Sequence, residues 1–326
     1  MRAIVITEPG GPEVLQLREV ADPIPGDQEV LIAVKAFGVN HAETHMRKGE
    51  WPEATPISGI EAVGTVATDP SGVLAVGTKV LAIMGGLGRT RNGSYAQYTA
   101  APAANVAPVE TSLDWADLAA IPESYATAWL ALHGNLKLKD GQSLLVRGAT
   151  SALGQAAVNI ASDLGARVIA TTRREDRTGL LRSLGAEGVV IESGAIAGEV
   201  RKLVPGGADR VLDLVGNSVL RDSLQAVQVK GRVCQAGFLG GLGPVEDFLP
   251  AFDMPSGVQF SFFGSFEVGS PDYPISAIPF QEIVAKAEAG IYQAKPARVL
   301  AFEEIADAHR VMEAGEAAGK LVVAGT

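Results

Sequence analysis

Sulfur is nearly absent as a structural resource in this chain of 326 residues, which has a single cysteine, Cys234. No internal disulfide can form, and no structural zinc site of four cysteines can be assembled. Histidine is scarce too: His41, His45, His133 and His309 are the full set, so a metal site would rest mostly on carboxylates. Positive charge is not in excess. Lys plus Arg number 27 against 37 Asp plus Glu, a net charge of −10. That balance speaks against nucleic acid or an anionic membrane surface as the main partner, because both reward a basic face. No apolar run reaches the roughly 20 residues that a spanning helix needs. The apolar stretch at the N-terminus meets Glu8 and Pro9 at once, too soon for a signal peptide. The expectation is a cytoplasmic soluble protein with no nucleic-acid and no membrane partner.

What is present is ordinary globular material, 47% apolar and 20% charged. At about 150 residues per domain the length suggests two domains, each able to bury a core. Up to about residue 120 the chain shows short β-branched runs cut by Gly and Pro: Arg2–Thr7, Val30–Ala36, Val63–Ala67, Thr78–Ile83 and Tyr95–Ala100. One short helical stretch, Ala42–Lys48, interrupts them. Near Ile121 the pattern changes. Strands at Ser143–Arg147, Val168–Thr171, Val189–Ile191, Arg210–Leu214, Gly231–Ala236 and Gln259–Gly264 alternate with helical stretches. The first of these helices repeats Leu153, Ala157, Ile160 and Leu164 on one face. Such alternation predicts right-handed βαβ units and a doubly wound parallel sheet of Rossmann type. After Pro271 come two amphipathic stretches, one with Ile278, Ile283 and Val284, the other with Ile305, Ala308, His309 and Met312. The closing strand, Leu321–Ala324, has no place in that parallel sheet and is expected to return to the first domain.

The strand Ser143–Arg147 runs straight into Gly148-Ala-Thr-Ser-Ala-Leu-Gly154 and then a helix. A dinucleotide fold needs such a tight turn, so that the backbone can approach a pyrophosphate at the helix N-terminus, where free N–H groups and the helix dipole favour negative charge. Gly148 and Gly154 hold the outer positions, Ser151 stands in the middle one, and Ala152 follows. The plainer alternative is a structural strand-to-helix turn. A site for NAD usually has Asp or Glu at the end of the second strand, to hold the ribose diol. Here that strand ends in Thr171-Thr172-Arg173-Arg174, with Arg177 beyond. Guanidinium groups suit a ribose 2′-phosphate, so the pattern points to NADPH; the alternative is a solvated charge run at a helix start.

At these residues the chain resembles the zinc-independent quinone oxidoreductases of the medium-chain dehydrogenase/reductase superfamily. The resemblance runs over essentially the whole length. It rests on Val34-Lys-Ala-Phe-Gly-Val-Asn40, Gly59-Ile-Glu-Ala-Val-Gly64, Gly93-Ser-Tyr-Ala-Gln97, Thr127-Ala-Trp129, Leu184-Gly-Ala186, Asp213-Leu-Val-Gly216 and Gly319-Lys320, in that order and spacing. It implies an α/β fold in which a Rossmann doubly wound parallel sheet, residues 123–265, is inserted in a GroES-like β-rich catalytic domain, residues 1–122 and 266–326. It also implies NADPH and a homodimer. Where zinc-dependent members carry metal ligands, this chain has Asn40, Ile60 and, near the second cysteine position, Glu123. Ile60 cannot coordinate a metal, so none is expected. A tyrosine that often serves the 2′-phosphate is replaced by Glu192, which is unhelpful to an anion, whereas Arg177 aligns with a basic residue of that site.

Without a Lewis acid, the natural acceptor is one that takes hydride readily, a quinone or an α,β-unsaturated carbonyl. Asn40 is the first candidate to hold cofactor and substrate or donate to the developing oxyanion, and His45 a candidate proton donor. Their plainer readings are a strand-end Asn bonding backbone and a packed or surface histidine. Glu61 either orients the site or is an ion-paired structural carboxylate. The resemblance adds Thr127, Ser151, Ala152, Gly237, Phe238, Leu239, Gly264 and Lys320 near the cofactor, beside Gly148, Gly154, Thr172, Arg173, Arg174 and Arg177. Cys234 reads as a small buried apolar residue. Two alternatives remain open: an enone or enoyl reductase with little quinone activity, and a non-catalytic NADPH-binding protein. The segment Gln259–Phe266 is aromatic, nearly uncharged and late in the strand series. If it forms an exposed edge it needs a partner, which points to a homodimer with one continuous sheet.

Overall fold

The computed structural model describes residues 1–51 and 53–326. The chain divides into two compact units. One comprises Met1–Ala126, Phe266–Gly290 and Ala294–Thr326, and the other Thr127–Ser265 with Ile291–Gln293. The boundary falls inside the helix Pro122–Trp129. Among the described residues no helix is long and apolar enough to cross a membrane.

The first unit is built on a mainly antiparallel sheet. Its order is Arg298–Ala301, Leu321–Ala324, Glu29–Val39, Glu61–Thr68, Lys79–Ile83 and Val106–Pro108, with Tyr98–Pro102 also pairing Glu29–Val39. The last strand runs antiparallel to Glu29–Val39, with Leu321 opposite Val39 and Ala324 opposite Ala36. This register brings Lys320 next to the end of the strand that leads into Asn40. The core here is Phe37, Tyr95 and Phe302 with Ile305, Ala308 and Met312. Phe37 stacks on Tyr95 at 4.7 Å between ring centroids and meets Phe302 edge-on at 6.4 Å. Each such buried side chain contributes about 1.5–3 kcal/mol.

The second unit holds six parallel strands in the order Gly188–Ile191, Arg167–Thr172, Ser143–Arg147, Ala208–Asp213, Val227–Gln235 and Gln259–Phe262. Numbered along the chain this is 3-2-1-4-5-6, a doubly wound parallel sheet as the βαβ alternation predicts. Ligands of such sheets bind beyond the carboxyl ends of the strands, where the order reverses.

The fold class agrees with the sequence reading, while several elements differ. The ribbon strand Leu15–Glu19, which pairs Arg2–Ile6, went unread because only Leu15 is buried. Arg298–Ala301 escaped for a similar reason: four residues, none of them fully buried. The helix Pro122–Trp129 continues as a π-helical stretch, Leu130–Asn135. Its residues are buried on nearly every side, the polar Ser124 and Thr127 included, so they carry no amphipathic period.

Candidate functional site

In the Rossmann unit, Gly148 leaves the first strand with φ +81°, and Ser151 caps the helix Ala152–Asp163. The Ser151 hydroxyl donates to Gly148 O at 2.9 Å and accepts from Gly154 N at 3.1 Å. It thus clips the turn shut from the position where a middle glycine was expected. Gly154 has no freedom to be larger, because a Cβ there would lie 2.5 Å from Gly148 O and 2.6 Å from Ala149 Cα. Gly148 N donates to Thr171 Oγ1 at 3.1 Å, tying the first and second strand ends together. Leu239 packs beside Gly148, along with Leu214 and Val215. The structure therefore brings Gly148, Ser151, Ala152, Gly154, Thr171 and Leu239 together. Phe238 turns instead towards Phe262, with ring centroids 5.7 Å apart. Gly237 precedes it in the loop after Val227–Gln235, Gly264 is half-buried beyond Gln259–Phe262, and Thr127 is buried in its helix.

The three arginines beyond the second strand are not equivalent. Arg174 forks onto Asp176, Nε at 3.0 Å and Nη2 at 2.6 Å, so its charge is already answered. Arg173 is exposed, Arg177 is half-buried, and neither makes an ion pair among the described residues. Thr172 is buried, and its hydroxyl bonds the backbone of Arg174.

Glu192 is not a free negative charge. Arg147, fully buried at the end of the first strand, grips it in a bidentate pair at 2.8 and 2.7 Å. Gly194 N adds a third bond at 2.9 Å. Burial alone would raise the Glu192 carboxyl, yet Arg147 holds it below the usual carboxylate range. The same guanidinium pairs with Asp222 at 2.8 Å and donates to Ser223 Oγ, which in turn donates to Asp213 Oδ2 at 2.6 Å. Sequence reasoning took Arg147 only as a strand end. The available signal was a charged residue closing the apolar run Ser143-Leu-Leu-Val. Cys234 is buried, and burial pushes its thiol up to about 12, in keeping with an unreactive packed side chain.

The second group of candidates lies in the sheet of the first unit. Asn40 precedes the helix His41–Lys48. Its carboxamide is held at both ends: Oδ1 accepts from Lys320 Nζ at 2.6 Å, and Nδ2 donates to Glu61 Oε1 at 2.9 Å. Lys320 and Glu61 form a direct ion pair. Their side chains are 3% and 0% exposed, which makes this a desolvated pair. Glu61 Oε2 accepts from Glu123 N at 2.8 Å. Burial works to lower the Lys320 pKa, but Glu61 and then Glu123 outweigh it, and the ammonium is held above its usual range. The cluster exists because residue 38 is glycine: a Cβ there would overlap Lys320 Cε and Glu61 Oε1. Of the two readings of Glu61, the ion-paired carboxylate is the observed one.

His45 sits on the same helix as the residues capped by Asn40, with Nδ1 2.5 Å from Glu50 Oε2. Three further members were missed. Glu43 accepts from Asn40 N at 2.6 Å and from Ile60 N at 3.0 Å, and Tyr95 and Arg47 lie behind it. Asn-x-x-Glu ahead of a helix is a capping signature and could have revealed Glu43. Tyr95 has no such local mark.

A metal fits this cluster poorly. Of the positions that hold zinc in zinc-dependent members, Ile60 has no donor atom, and the Lys320 ammonium already bonds both Asn40 and Glu61. A divalent ion there would face a fixed positive charge.

Comparison with known proteins identifies both domains. Residues 26–111 match the alcohol dehydrogenase GroES-like domain, and residues 152–282 the family model described as zinc-binding dehydrogenase. The human quinone oxidoreductase is 30% identical over 336 aligned positions, covering 99% of this chain and 97% of the relative. Among solved structures, a mycobacterial protein complexed with NADPH superposes with a TM-score of 0.88 at 27% identity, covering both chains fully. An NAD-dependent alcohol dehydrogenase superposes at 0.84 with 30% identity, again over both full chains. With both domain models matched in order, and a quinone oxidoreductase matched end to end, the chain belongs to the zinc-independent, quinone-oxidoreductase-like branch of the medium-chain dehydrogenase/reductase superfamily.

Proposed function

We propose that this protein is an NADPH-dependent reductase that passes hydride to a quinone or an α,β-unsaturated carbonyl without a metal. The observation that carries the reading is Lys320: a buried, ion-paired ammonium bonds Asn40 and Glu61 beside Ile60, where zinc-dependent relatives polarise their substrate. With no Lewis acid, the acceptor must delocalise the incoming charge by itself. NADPH supplies the hydride when bound. The fit of the Rossmann unit to that cofactor rests on three features. Ser151 and Gly154 keep the turn tight at a helix N-terminus. The second strand ends without a carboxylate, and Arg173 is left available beyond it. Arg147 pairs with the Glu192 carboxylate and offsets its charge.

In this reading Asn40 is the group that meets cofactor and acceptor. Lys320 and Glu61 fix the plane of its carboxamide, and its second Nδ2 proton, which has only the long contacts to Gly38 O and Glu43 Oε1 at 3.5 Å, turns to the acceptor oxygen as negative charge develops there. His45, held by Glu50, is the candidate for returning a proton to that oxygen. Lys320 acts on the reaction through Asn40. The test is NADPH oxidation against a panel of quinones, enals and enones. Turnover with quinones and enones is expected, and enone-only turnover would make the chain an enone reductase. NADPH binding with no turnover on any acceptor would overturn the reading. Protein purified without added metal is expected to hold well below one zinc per chain and to keep its activity in a chelator. Stoichiometric zinc that survives dialysis would contradict this.

The proposed assembly is a homodimer. Gln259–Phe262 is the last strand of its sheet, with Phe260 and Phe262 42% and 49% exposed. Pairing this edge with its two-fold mate would cover both rings and satisfy the open backbone groups. Light scattering at micromolar concentration is expected to give twice the chain mass, and a stable monomer would rule the arrangement out.

A further inference from the structure

Behind Asn40 runs a buried chain of side chains in which each donor is determined by the one before it. Arg47, fully buried, uses Nε on Gly10 O at 3.0 Å and Nη2 on Glu313 at 2.6 Å, and its Nη1 lies 3.2 Å from His309 Nδ1. A guanidinium only donates, so Nδ1 accepts and the ring proton sits on Nε2. His309 Nε2 is 3.0 Å from the Tyr95 hydroxyl, so it donates there. The hydroxyl must then give its own proton to Glu43 Oε2, 2.7 Å away. Glu43 also takes Asn40 N–H and Ile60 N–H. Every lone pair of Glu43 used here receives a donor, and the reverse direction would set a protonated Nδ1 against an Arg47 N–H.

We infer that Tyr95 and His309 are positioning residues: their one-way donor chain from Arg47 keeps Glu43 ionised, and ionised Glu43 holds the backbones of Asn40 and Ile60 so that Asn40, Glu61 and Lys320 stay aligned. The inference deepens the reductase reading above and rests on it for its activity readout. Glu43 meets Tyr95, on the segment before the strand Tyr98–Pro102, and behind Tyr95 lie Arg47 of its own helix and His309 and Glu313 of the helix Ile305–Glu313. Glu61 and Lys320 face it from the strand Glu61–Thr68 and from just before Leu321–Ala324. Burial pushes the Glu43 carboxyl up to about 7, against the pull of the Asn40, Ile60 and Tyr95 donors. Burial, and then Arg47, drives His309 down to about 3, so its ring is neutral. Removing the Tyr95 hydroxyl therefore raises Glu43 further and leaves it protonated at neutral pH.

The test is Tyr95→Phe, which keeps the ring stacked on Phe37. Two quantities are followed from pH 5 to 9: kcat/KM, and the melting temperature of cofactor-free protein. The acid limb of kcat/KM is expected to move up by about one pH unit, with a loss of roughly fivefold at pH 7 that approaches about tenfold at pH 5 and recovers at pH 9. The melting-temperature gap to wild type is expected to move the other way, widening above pH 7. The sign follows because a carboxyl raised in the folded state loses stability as pH climbs from its unfolded to its folded pKa, and Tyr95→Phe extends that window upward. A general structural defect would move activity and stability together. His309→Gln presents an acceptor and a donor over the same reach and is expected to keep the wild-type profile, whereas His309→Leu shifts it. Superimposable profiles for Tyr95→Phe and wild type, an equal loss at every pH, or a melting-temperature gap independent of pH would each overturn the inference. If wild-type protein turns over no acceptor, the reductase reading fails by itself, and the melting-temperature arm alone decides the role of the chain.

Discussion

NADPH is expected to outperform NADH by at least about tenfold in kcat/KM, and Arg173→Ala to remove most of that margin while leaving NADH nearly unchanged. The strand Arg167–Thr172 ends in buried threonines, so the ribose diol of NADH lacks its usual carboxylate. A 2′-phosphate would instead meet guanidinium groups, and one arginine–phosphate contact is worth about ten- to a hundredfold in affinity. The geometry divides the three arginines. Arg174 is engaged by Asp176, so Arg174→Ala is expected to change the ratio by no more than about threefold. Arg177→Ala should fall between them. Glu192 would oppose the phosphate if it were free, but its pair with Arg147 cancels that term. Arg147→Met should therefore penalise NADPH as well as stability. Equal use of both cofactors by wild-type protein, or equal losses for both in Arg173→Ala, would show the arginines to be a solvated surface.

The second large effect is expected at the pair Lys320–Glu61. Both side chains are withdrawn from water, so removing one partner leaves the other as an uncompensated buried charge. Lys320→Met or Glu61→Gln is expected to destabilise the protein by about 3–5 kcal/mol. At roughly 2–4 °C per kcal/mol for a unit of this size, the melting temperature should fall by about 10 °C. The double variant Glu61→Gln with Lys320→Met is expected to be clearly more stable than the sum of the two losses, because neither charge is then left unpaired. Gly38→Ala should resemble the single variants, since its methyl would occupy the volume of the Lys320 stem. Additive losses in the double variant, measured by denaturant unfolding, would mean that the two groups act independently.

Much of this molecule was legible before any coordinates. The doubly wound parallel sheet followed from strands and helices alternating at regular spacing, and the turn Gly148–Gly154 from its position between a strand and a helix. Asn40 and Ile60 stood out only through the resemblance, which sets them at the ligand positions of zinc-dependent members. Less legible were elements with little burial or no period, such as Leu15–Glu19 and the helix Pro122–Trp129. The pairings hardest to read join residues far apart in sequence: Arg147 with Glu192, and Arg47 with His309 across 262 positions.

The sequence by itself determined the periods, the turn chemistry and which functional groups exist: a glycine turn at a helix start, arginines where a carboxylate would serve NAD, and no donor at residue 60. Those properties are local, set by steric and hydrogen-bonding rules that act within a few residues. Only the tertiary structure decided which charges remain available. Lys320 reaches Asn40 because the register of Leu321–Ala324 against Glu29–Val39 puts them side by side. Glu192 is spent on Arg147, and Tyr95 on Glu43. An ionisable group in water and the same group desolvated beside a partner behave differently, and that difference is a property of the fold rather than of any local string of residues.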